Sequence, residues 1–169
     1  MHQGDTKSLF LVIAITQTHP HDSNNTLRSD DEKTYAVPAS DLTLRVRWWN
    51  DRPINYERLG AYLQEIQMEV MEHIAKNRDS PLSKFNDDPY RRRGIGFYTI
   101  FSSTPSPLHP EQHLTYKFLF EALEGLYDVM FVDNHPEGSY TTITHETFGV
   151  LGTAVILPRD PASYHVAAA

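Results

Sequence analysis

His145 and Glu146 are neighbours in this chain, and an imidazole beside a carboxylate can move protons where both line one cleft. His109, His113 and His135 lie close by in sequence, with Asp133 among them. A His/Glu or His/Asp acid–base site built from these groups is one reading, with His145, Glu146 and His113 as its candidate catalytic residues. Two features weigh against it. Consecutive strand residues point to opposite faces, which separates His145 from Glu146. The sequence also continues as Thr147-Phe148, without the second histidine that a zincin helix carries four residues after the first.

The chain has nine histidines and no cysteine, so thiolate metal sites and disulfides are excluded. His109 and His113 have helical ligand spacing, but Pro110 stands between them and the helix that follows starts later. His19 and His21 flank Pro20 in a polar segment. Imidazole ligands need convergence and support from a surrounding shell, which loops do not supply. The expectation is no metal and no cofactor.

Arginine is the other candidate chemistry. Arg45 and Arg47 alternate along a strand that ends at Trp49, and arginine with aromatic groups on a sheet can stack ligands or form an interface. Arg91, Arg92 and Arg93 follow Asp87-Asp88 and could grip phosphate or carboxylate. No Gly-rich phosphate cradle accompanies them, and Gly94-Ile95-Gly96 is not followed by a helix. The net charge of -7 disfavours a nucleic-acid partner and an anionic membrane surface.

The elements that must position these groups are legible. Asp41–Trp49 alternates, with Leu42, Leu44, Val46 and Trp48 on one side and Thr43, Arg45, Arg47 and Trp49 on the other, which predicts a half-buried strand. Asn55 is placed to cap a helix of about five turns, with Leu59, Tyr62, Leu63, Ile66, Val70, Met71 and Ile74 as its apolar stripe. Ser80–Arg93 reads as an exposed connection and Ile95–Ser103 as the second strand. Thr115 caps a second helix, whose stripe is Leu119, Ala122, Leu123, Leu126 and Met130. Tyr140–Glu146 and Val150–Leu157 read as an antiparallel hairpin. These elements predict an α+β two-layer sandwich, with two helices packed on one face of a mixed four- or five-stranded sheet, parallel where helices connect the strands.

That domain spans residues 35–158, behind an N-terminal apolar strand at 1–17 and a polar linker at 18–34, with a flexible tail at 159–169. Leu9–Ile15 is the longest apolar run, seven residues against the roughly 20 of a membrane span. It reads as a strand or as a signal-peptide core, and the strand is the better fit because no small-x-small cleavage site follows. Such a strand would pair with its own sheet edge or with a neighbouring molecule's. Asn24-Asn25-Thr26 is a glycosylation sequon, meaningful only in a secreted chain.

Leu114-Thr115-Tyr116, Ala122-Leu123-Glu124-Gly125-Leu126 and Gly149-Val150-Leu151-Gly152-Thr153 form a pattern that resembles uncharacterised small secreted proteins of filamentous fungi. The resemblance covers about a quarter of the chain. It implies secretion, with a soluble cytoplasmic location as the alternative, and it carries over no catalytic residue. Three functions stay open. The first is a non-enzymatic binding or self-assembly module with a protein partner or a second copy. The others are a small acid–base enzyme and a phosphate or anion binder. Arg45, Arg47, Trp49 and Arg91 to Arg93 are the candidate ligand or interface residues.

Overall fold

The computed structural model describes residues 32–94, 96–105, 109–135 and 137–158, with the backbone alone at 50–53. The apolar run Leu9–Ile15, the linker up to residue 31, Ile95 and the tail lie outside the described residues.

The fold is α+β. Two helices accompany one sheet of strands β1 (Glu32–Ala36), β2 (Leu42–Pro53), β3 (Tyr90–Gly94), β4 (Phe97–Ser103), β5 (Glu137–His145) and β6 (Gly149–Pro158). Their order is β1-β2-β5-β6-β4-β3, six strands rather than four or five. Each of the five neighbouring pairs is antiparallel, so the expected mixed sheet is corrected. The physical reason lies in the connections. After each helix the chain enters a hairpin, β3–β4 or β5–β6, and short connections force antiparallel pairing. The two hairpins then meet edge to edge through β4 and β6, so neither helix acts as a crossover between parallel neighbours. Both added strands lie in polar sequence: β1 takes Glu32, Lys33 and Thr34 from the segment read as linker, and β3 takes Tyr90–Gly94 from the segment read as a loop.

Helix α1 (Tyr56–Asn77) starts where the Asn55 side chain accepts a hydrogen bond from the Arg58 N–H at 3.0 Å. Leu59, Tyr62, Leu63, Ile66 and Val70 are buried, whereas Met71 is 54% exposed and falls off the stripe. Helix α2 (Tyr116–Leu126) starts at Thr115, whose side chain caps the Phe118 N–H, and continues as a π-helical turn over Tyr127–Val132. Leu119, Ala122, Leu123, Leu126 and Met130 are all buried.

Leu42, Leu44, Val46, Phe97, Phe101, Ile143 and Ile156 are buried on one side of the sheet, and residues of both helices touch that side. Tyr62 of α1 stacks on Phe97 of β4, with ring centroids 5.3 Å apart. Gly125 lets α2 approach β2: a Cβ there would lie 2.7 Å from side-chain atoms of Leu44 and Val37. A latch closes the far end of α1, where His73 stacks on Tyr116 at 3.7 Å and the Tyr116 hydroxyl donates to Asp87. Burial, and then that bond, push the Tyr116 phenol above its ordinary range.

Candidate functional site

The sheet has a second face, and the strand register defines it. Directly paired residues of antiparallel strands point the same way. One line crosses all six strands: Glu32, Arg47, Tyr140, Val155, Ile100, Arg91. A parallel line runs Thr34, Arg45, Thr142, Thr153, Ser102. On the other side lie Trp49 opposite Gly138, and Leu157, Tyr98 and Arg93 in one row. All of these positions alternate with the buried ones, so they face away from the helices. The result is an apolar middle of Tyr140, Val155, Ile100, Leu157 and Tyr98. Arg45 and Arg47 flank it on one side, and Arg91 and Arg93 on the other.

The charge of this face opposes that of the chain. Among the described residues it carries four arginines and one glutamate, 4 − 1 = +3, on a protein of -7. Glu32 holds one pair: its two carboxylate oxygens accept from Nε of Arg45 and of Arg47. Those bonds, Arg45 first, hold the Glu32 carboxyl below the usual range. The two guanidinium groups are thereby oriented while their side chains stay 55% and 47% exposed. Arg93 lies over the Tyr98 ring, 5.8 Å from its centroid, a cation–π geometry. Arg91 is exposed and makes no ion pair among the described residues.

Arg92 is not part of this surface. It points to the helix side, where Nη2 meets the carboxylates of Glu69 and Glu65 on α1, the latter at 3.4 Å. It ties the edge strand β3 to α1. The sequence triplet therefore divides two to one, as strand alternation requires.

The histidines do not converge. His145 lies on the helix side at the end of β5, buried against Phe118 and Phe148. Its Nδ1 accepts from the backbone N–H of Thr147 at 3.0 Å and of Phe148 at 3.4 Å, which pins the hairpin turn and places the ring proton on Nε2. That Nε2 is 3.8 Å from an Asp41 carboxylate oxygen. Glu146 is exposed, and its backbone N–H bonds to the Asp41 carbonyl. His113 is half-buried, and its carbonyl accepts from Gln112. His109 sits edge-on to Phe148 at 5.7 Å. His135 stacks on Trp48, which pairs with Ser139 at the other end of β5, about 20 Å from His145 at ~3.4 Å per residue. Among the described residues, no group of three or more His, Asp or Glu could hold a metal.

Among the described residues, concavities lie beside α1. One of about 260 Å³ is lined by Arg58, Ala61, Tyr62, Glu65, Gly94 and Phe97. Another, about 250 Å³, is lined by Val37, Pro38, Gln67, Glu124, Tyr127 and Asp128. Both fall below the ~300–1,000 Å³ usual for small-molecule sites, and neither contains a histidine.

Sequence reasoning reached Arg45, Arg47, Trp49, Arg91 and Arg93 but not Tyr140, Val155 and Leu157, which complete the surface. The signal was present as outward apolar positions in the last two strands. What was missing was the strand order that sets them between the arginines. No protein-family model, curated protein or solved structure matches this chain.

Proposed function

We propose that the chain is a non-enzymatic binding module that engages a protein partner through the outer face of its sheet. In this reading the molecule is a two-layer sandwich whose helical layer serves folding and whose other sheet face serves recognition. One observation carries it: arginines of β2 and β3, four strands apart in the sheet, flank a continuous apolar strip on a sheet face that no described helix covers. An apolar centre ringed by groups that exclude water is how interface hot spots are built, and Arg and Tyr are enriched in them. The partner surface that fits is apolar in the middle and carboxylate-bearing at its margins, because guanidinium pairs with carboxylate in a planar fork. Export from the cell, implied by the resemblance over Leu114–Gly152, belongs to the same proposal.

Peptides selected against the full chain supply the test. Acidic, apolar-centred sequences should emerge, and Arg47→Glu combined with Arg91→Glu should weaken them at least about tenfold, ~1.4 kcal/mol, in a variant that circular dichroism shows to be folded. Selected binders that keep their affinity for that variant would place recognition elsewhere. A preference for oligonucleotides over acidic peptides would replace a protein partner by nucleic acid.

A further inference from the structure

We infer that one occupant of the outer sheet face is the exposed side of α1 of a second copy of this chain. This rests on the reading of that face as the recognition surface. The long helix carries a second, unburied stripe opposite its core stripe. Met68 is 60% exposed and Met71 54%, with Ala61, Gln64 and Ala75 in line with them at helical spacing. Glu57 and Glu72 bracket the two methionines, and the helix carries Glu57, Glu65, Glu69 and Glu72 against Arg58, Lys76 and the Arg92 of β3 that Glu65 and Glu69 hold, a balance of 3 − 4 = −1, with Glu72 3.6 Å from Lys76. The sheet face offers the converse, an apolar centre between arginines at +3.

The dimensions agree. Arg47 and Arg91 are separated by four strand spacings, about 19 Å. Glu57 and Glu72 are separated by 15 residues of α1, about 22 Å along the axis and roughly 60° around it. Laid across the strands with Glu72 and Met71 at the Arg47 margin, the helix sets Met68 over Tyr140 and Gln64 and Ala61 across Val155 and Ile100, and brings Glu57 to the Arg91 margin. Methionine suits such a contact because its flexible thioether fits irregular surfaces. Stacking two sheet faces on each other would instead oppose +3 to +3.

The two patches belong to opposite sides of the molecule, since α1 packs on the inner face of the sheet. The contact is therefore heterologous, and repetition stacks copies head to tail. Its ion pairs are exposed, so added salt weakens it.

Sedimentation of the full chain tests this with two blocked variants. Val155→Lys blocks the sheet patch, and Met68→Lys with Met71→Lys blocks the helix patch. Met68 and Met71 are exposed and Val155 is half-buried, and circular dichroism checks that each variant is folded. Arg47→Glu with Arg91→Glu serves as a second sheet-side variant. The parent chain should grow in mass with concentration, and each blocked variant should stay monomeric. An equimolar mixture of the two should double in mass and stop there, because only one complementary pair of patches remains. A parent chain that is monomeric at about 0.5 mM, ample for a contact of micromolar strength, overturns the inference. So does a mixture that stays monomeric, or an oligomer that the methionine changes leave intact. Association only after deletion of residues 1–17 overturns it too, by making Leu9–Ile15 the occupant. Acidic peptides that still bind the face of a monomeric chain would leave the recognition surface standing, so the two failures are distinct.

Discussion

The two faces of one sheet are built from the same strands and do opposite things. On the helix side, Leu44, Val46, Phe101, Ile143 and Ile156 are buried, and α1 and α2 close over them. On the other side Tyr140 keeps 36% exposure among apolar neighbours, and arginines stand at both margins. Apolar residues under the helices fix the fold; apolar residues on the open face have no folding partner among the described elements. If the outer face binds as proposed, the contrast separates stability from recognition residue by residue.

The largest expected effect lies on the buried side. Leu63→Ala or Leu123→Ala should cost roughly 2–5 kcal/mol in denaturant unfolding, whereas Tyr140→Ser should stay within about 0.5 kcal/mol. Equal losses from both faces would erase the distinction. Gly125→Ala comes next, at about 1–3 kcal/mol, because its Cβ would press on Leu44 and Val37 at 2.7 Å.

A smaller effect of opposite sign is expected at Thr141. Its hydroxyl is buried without a hydrogen-bond partner among the described residues, so Thr141→Val should raise stability by about 1 kcal/mol. A loss instead would mean that the hydroxyl has a partner, such as an ordered water.

Alkaline pH tests the helix side without mutation. Burial raises the Tyr62 and Tyr90 phenols from the ordinary 10.0 to about 12. Above pH 10 the unfolded chain releases these protons while the folded chain holds them. The contribution to stability is therefore whole below pH 10 and falls as pH rises towards 12. Unfolding midpoints should drop over that window, and Tyr62→Phe should reduce the drop. A Tyr62→Phe profile superimposable on the parent would remove Tyr62 from that account.

Strands and helices with strong periodicity were legible in the sequence: β2, α1, β4, α2 and the β5–β6 hairpin. Asn55 and Thr115 were legible as caps because a side-chain oxygen beside an apolar-periodic run has a local role. The edge strands β1 and β3 were not, since edges are short and polar by nature and Tyr90–Gly94 looks like a charged loop. Strand order was equally hidden, because it depends on contacts between distant segments that no local pattern records. That is why the arginines were visible as candidates while the apolar strip between them was not. His145 drew attention as a chemical group, and its two backbone hydrogen bonds in the turn became visible only with the hairpin in place.

The most direct test of the recognition surface is nuclear magnetic resonance of the full chain, with methyl and aromatic groups observed while a selected acidic peptide is titrated in. The account predicts shifts concentrated on Tyr98, Ile100, Tyr140, Val155 and Leu157, with the buried leucines of α1 and α2 unmoved. Shifts confined to the His145 turn or to the clefts beside α1, with those five residues silent, would contradict it.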